Sequence, residues 1–121
     1  VVSKEARSYI ARQIERYDDI KREVRHAEKS VIYSQGRFEG KLIGYLDNTH
    51  LQQKVLFVDV FDEVYSTLPE EKKMMIQLLY WNKTKRLNCD GVGLKLHADG
   101  STIGRWRLAV LSQIAERVGL T

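Results

Sequence analysis

The sequence predicts an all-α fold, a long N-terminal helix leading by way of a helical domain to a C-terminal helix-turn-helix. Three observations carry that expectation. Apolar residues recur at three-, four- and seven-residue steps through most of the 121 residues, the spacing of helical faces. The single proline and the scarcity of alternating β-branched runs leave little from which to build a sheet. Helix-start signals at Leu68-Pro69-Glu70, Asn88 and Asp99 fall where a new apolar repeat begins.

The first element runs from Ser3 to about Val31. Ile10, Tyr17, Val24 and Val31 recur every seven residues, with Ala6, Gln13, Ile20 and Ala27 at the complementary positions. Such a stripe suits a coiled-coil seam between two copies, and it equally suits the covering of the chain's own core. The basic residues of this helix alternate with acids, as on a solvated face.

Residues 34–48 form the connection, with Gly36, Gly40 and Gly44 four apart. Gly40-Lys41 is one residue short of phosphate-loop spacing, and Leu42 stands where Ser or Thr is required, which excludes a nucleotide site. Arg37, Glu39 and Lys41 interrupt any transmembrane small-residue motif. Phe38, Leu42, Ile43 and Tyr45 are expected to anchor this hinge on a neighbour.

Asn48 or Thr49 caps a second helix to about Thr67, with Leu51, Val55, Val58, Phe61, Tyr65 and Leu68 as its buried stripe and Phe57 and Val64 widening it. Pro69 suits a first helical position, and Glu70 and Glu71 complement the helix dipole. That third helix reaches about Trp81, with Met75, Leu78, Leu79 and Trp81 as core. The expected division is 1–47, helix and connection with a possible oligomerising role, and 48–121, the domain that carries the helix-turn-helix.

Residues 87–107 give the chain its character. Asn88 caps a short helix to which Val92, Leu94 and Leu96 contribute apolar groups, His97, Ala98 and Asp99 make a corner, and Asp99 caps the next helix. Ile103, Trp106, Val110, Ile114 and Val118 then repeat at three- and four-residue steps. Two short helices turned together in this way describe a helix-turn-helix, which lays the start of its second helix in the DNA major groove. Trp106 is the expected core wedge between them.

Charge placement agrees. Between Lys83 and Arg107 the positives Lys83, Lys85, Arg86, Lys95, Arg105 and Arg107 are set against only Asp90 and Asp99, while the rest of the chain balances its signs, so the whole excess of +4 lies here. That is the footprint of a nucleic-acid partner. Lys83, Lys85, Arg86, Lys95 and Arg107 are the expected phosphate contacts. Arg105 lies two residues after the inward Ile103, turned about 200° from the core. Its planar fork can pair with guanine, so it is the expected base reader. Ser101 shares its exposed side.

Other chemistries find little support. His26, His50 and His97 lie far apart, without a cysteine or paired carboxylate at ligand spacing, and no metal, cofactor or enzymatic activity is expected. Cys89 and His97 offer no oriented nucleophile and base. The lone Cys89 excludes an internal disulfide and suits a reducing cytoplasm. No secretory leader and no membrane span is evident.

Ser66 to Lys73, Leu79 to Trp81 and Leu87 to Leu120 together resemble the RinA/ArpU-type transcriptional regulators of phages that infect Gram-positive bacteria. The most specific residues are Asp90-Gly91-Val92, Lys95-Leu96-His97, Thr102, Arg105-Trp106-Arg107 and the ending Ile114 to Leu120. The family is in turn similar to the promoter-reading domain of sigma factors. The resemblance implies activation of late phage operons in the host cytoplasm through double-stranded DNA, with bacterial RNA polymerase as a possible partner. It places Ser101, Thr102 and Arg105 against DNA. A homodimer would read two half-sites. Gly93, Gly100 and Gly104 depart from the pattern, each costing about 1 kcal/mol against Ala in a helix. Two alternatives differ in class: a small terminase subunit recognising a packaging site, and a protein-interaction module whose helix-turn-helix has lost DNA binding.

Overall fold

The computed structural model describes residues 2–32, 49–82 and 85–120. Six α-helices and one π-helical turn account for almost all of them, and no strand occurs among them. The connection with its expected anchors Phe38, Leu42, Ile43 and Tyr45 lies outside the described residues, as does Lys83.

The N-terminal element is two helices, not one. Helix α1 spans Lys4–Glu15 and α2 spans Tyr17–Ile32. Ser3 starts α1, its Oγ accepting from the Ala6 amide at 3.1 Å. The interruption falls at Arg16. A bond from far away in sequence falls at the break: the Trp81 indole donates to the Ile14 carbonyl at 2.8 Å.

The seven-residue stripe serves the interior. Ile10, Ile20 and Val24 are buried in the chain's own core, and Tyr17 is packed against it. Of the two readings of the stripe, covering the chain's own core is the one that Ile10, Ile20 and Val24 follow: these three have no surface left to offer a second copy. Ion pairs fix α2 to its neighbour, with Lys21 3.5 Å from Asp62 and Lys54 bonded to Glu23.

That neighbour is α3, Thr49–Thr67, whose bounds follow the expected helix. Its burial is broader than the expected stripe. Phe57, Val58, Val60, Phe61 and Val64 are buried, whereas Val55, Tyr65 and Leu68 lie at the core's margin. The helix packs against α2 as well as against the last helix of the chain, so more than one face turns inward.

Helix α4, Glu70–Ile76, begins after Pro69, which stands one place earlier than expected, at the cap. The chain then continues as a π-helical turn, Gln77–Trp81. The inward face runs through Met75 and Leu79 and through Ile76 and Tyr80, each pair one four-residue step apart. Leu79 and Tyr80 are buried, and Leu78 and Trp81 only border the core. Trp81 joins an aromatic cluster in which Tyr17 lies 5.7 Å, Phe61 5.8 Å and Tyr65 5.7 Å from it, centroid to centroid. The last two helices are α5, Cys89–Leu96, and α6, Gly100–Arg117. Helix α1 packs directly on α6, and one core runs from Val2 to Ala115 across the boundary expected near residue 47.

Candidate nucleic-acid interface

Helix α5 starts as its sequence dictates. Asn88 is extended, and its Oδ1 accepts from the Gly91 amide at 2.8 Å. The helix ends at His97, which adopts the left-handed conformation with φ 56° and ψ 45°. The Ala98 amide then turns back to the Gly93 carbonyl at 2.9 Å. Gly93 is what allows this: a Cβ there would stand 2.4 Å from the Ala98 carbonyl oxygen. At Gly100 a Cβ would meet Asp90 Oδ1. Of the three glycines that looked costly in the sequence, Gly93 is required by the close backbone approach at the corner, and Gly100 makes room for the Asp90 side chain of α5.

Asp99 is extended at the start of α6, but its side chain makes no capping bond. Only the Asp99 carbonyl engages the helix, accepting from Ile103 at 3.1 Å. Of the apolar groups expected along α5, Val92 is fully buried, while Leu94 is 82% exposed. Residues two apart on a helix point roughly 200° away from each other, so Val92 and Leu94 cannot share an inner face.

Ile103, Val110, Leu111, Ile114 and Ala115 lock α6 into the core. Trp106 sits at the core margin with the Lys72 ammonium of α4 5.8 Å from its ring. It is a border residue shared with α4, not a wedge sealed between α5 and α6. The opposite side of α6 is open, with Ser101, Arg105 and Leu108 exposed. Arg105 leans back along the helix, its Nη2 donating to Thr102 Oγ1 at 3.1 Å. The three expected base-facing residues, Ser101, Thr102 and Arg105, therefore lie together on the first turns of one rigid helix.

No family model, characterised protein or solved structure matches this chain. The site has to be read from its own geometry.

The expected phosphate contacts divide into two groups. Lys85 and Lys95 are exposed. Arg86 and Arg107 instead line a cleft of about 480 Å³ together with Glu15, Tyr80 and Cys89. Arg86 pairs with Glu15 at 3.2 Å while staying 59% exposed. Arg107 is more deeply committed. Its Nε donates to the Tyr80 hydroxyl at 2.9 Å, and its guanidinium stands 6.0 Å from that ring. Burial opposes the charge of Arg107, but the Tyr80 hydroxyl and Cys89 outweigh it, and the net shift is upward. Burial is also the main cause that raises the Tyr80 pKa, against the lowering effect of Arg107. Arg107 thus ties α6 to the π-helical turn, a role its sequence position did not reveal. Tyr80 was missed because the expected inward face centres on Leu78 and Trp81, although Ile76 and Tyr80 repeat the four-residue step of Met75 and Leu79.

Among the described residues no group of three His, Cys, Asp or Glu side chains could hold a metal ion, and no helix is long and apolar enough to cross a membrane. A separate cleft of about 650 Å³ is lined by no residue of α5 and largely by apolar groups including Tyr9, Leu56, Phe57 and Leu120.

Proposed function

We propose that the protein is a sequence-specific DNA-binding transcriptional regulator that lays α6 in the major groove, using α5, the corner and α6 as a helix-turn-helix. The observation that carries the reading is the arrangement of Arg105. It projects from the open side of α6, pre-oriented by Thr102 beside Ser101, on a helix whose other side is immobilised in the core. A guanidinium held in this way loses little freedom on forming a two-pronged contact with guanine. Two further features support it: the clustering of the net positive charge between residues 83 and 107, and the resemblance of Ser66 to Leu120 to the RinA/ArpU-type regulators. On that resemblance the protein activates late phage operons, with RNA polymerase as a partner.

Pairing of two copies on two half-sites belongs to the same proposal. The surface that joins them is one other than Ile10, Ile20 and Val24, which the core already occupies.

The test is selection from a random-sequence duplex library with wild type, Arg105→Ala and Arg105→Lys. Wild type is expected to enrich a guanine-containing site. Arg105→Ala should cost about 1–3 kcal/mol on that site and relax one position. Arg105→Lys should recover affinity better than selectivity, because an ammonium cannot make the planar contact. Identical sequence preferences for all three proteins would mean that Arg105 touches only phosphate.

A further inference from the structure

The strip of α6 beside Arg105 holds one residue that the fold does not explain. Gly104 lies in the second turn, where glycine is a poorer helix former than any residue except proline. Gly93 and Gly100 answer to the close packing of α5 on α6. Gly104 answers to nothing among the described residues, for a Cβ placed there meets none of their atoms within 4 Å beyond its own helix backbone. One turn further along, Leu108 is 49% exposed. Ser101, Gly104 and Leu108 follow at steps of three and four, so they share one strip of helix surface. The strip is bare at its middle and apolar at its far end.

We infer that Gly104 is the point where the α6 backbone comes closest to the base edges of DNA, and that Leu108 covers the methyl group of a thymine there. The inference rests on the proposed reading of α6 as the DNA-contacting helix. Charge selects the occupant: the strip is bordered by the exposed Arg105, and the chain's positive excess lies in sequence between residues 83 and 107. A single exposed leucine is too narrow a seam for a partner helix, yet it suits one methyl group in the major groove. Spacing supports the same assignment. Leu108 stands about 4.5 Å further along the helix than Arg105, and successive base pairs are about 3.4 Å apart. The guanine read by Arg105 and the thymine covered by Leu108 therefore belong to neighbouring base pairs.

Wild type, Gly104→Ala and Leu108→Ala, each taken through the random-duplex selection and a thermal melt, test this. Gly104→Ala should melt about 3 °C higher, since alanine is the better helix former. It should nevertheless bind the duplex selected by wild type about tenfold more weakly, with non-specific binding unchanged. Leu108→Ala should keep the guanine and lose the adjoining thymine. A Gly104→Ala protein that binds as wild type does overturns the inference and leaves the DNA-binding reading standing. So does one that melts lower, since the glycine then serves the fold. A wild-type protein that enriches no sequence defeats the reading itself, and the inference with it.

Discussion

The Trp81 indole N–H donates to the Ile14 carbonyl at 2.8 Å, joining residues 67 apart in sequence. This bond sits at the junction of α1 and α2, and the Trp81 ring simultaneously packs with Tyr17, Phe61 and Tyr65. Three segments of chain thus meet at one side chain. Trp81→Phe keeps an aromatic group and removes the donor, leaving the Ile14 carbonyl without its partner. A loss of about 1–3 kcal/mol is expected in urea unfolding. A change within the noise of the fit would show that water replaces the indole at no cost.

The burial of Ile20 and Val24 separates a core role from a subunit seam. Ile20→Asp places a carboxylate with no partner among apolar groups, which costs several kcal/mol. Circular dichroism should show loss of the cooperative melt. A fully folded monomer by sedimentation, formed from a wild-type dimer, would instead return these residues to an interface between copies.

Tyr80 gives stability a dependence on alkaline pH. Its folded-state pKa lies above the ordinary value near 10, chiefly through burial, so the folded chain holds its proton more tightly than the unfolded one. The resulting contribution is present in full below about pH 10 and diminishes as the pH rises from there through the folded-state value. Tyr17 acts in the same direction, burial again being the first cause. Tyr80→Phe should flatten the fall in melting temperature between about pH 9 and about pH 11. The same slope in both proteins would assign the effect elsewhere.

Salt dependence examines the basic residues. If Lys85 and Arg86 meet phosphates, each alanine substitution should flatten the plot of log affinity against log salt by about 0.9. Glu15→Ala should strengthen non-specific binding at low salt, since Glu15 competes with DNA for the Arg86 guanidinium. Slopes unchanged in both lysine and arginine variants would remove these side chains from the interface.

What could be read in advance was local. The Asn88 cap, the corner at His97 and the inward Ile103 each depend on residues within a few places of one another, and they lie where the sequence puts them. The open position of Arg105 followed from the same local geometry. The interruption at Arg16 could not be seen, because it accompanies a hydrogen bond from a residue 67 positions away. Tyr80 escaped because the expected inward face runs through Leu78 and Trp81, one place round from the pairs Met75/Leu79 and Ile76/Tyr80 that are buried. Leu94 was misplaced by reading a two-residue step as a helical face. Gly93 and Gly100 looked costly in one dimension, and their reason emerges only where α5 and α6 touch.

The packing of α1 on α6 has a consequence for biosynthesis. Ile10, Ala11 and Ile14 form the buried face of the first helix, and nearly a hundred residues separate them from Gly100–Arg117. At about 5–20 residues per second, the ribosome would deliver that cover several seconds after α1 has emerged. During that interval the nascent chain carries an uncovered apolar helix. A chaperone that binds such surfaces would therefore meet this protein at its first helix, and would be displaced when the last one arrives.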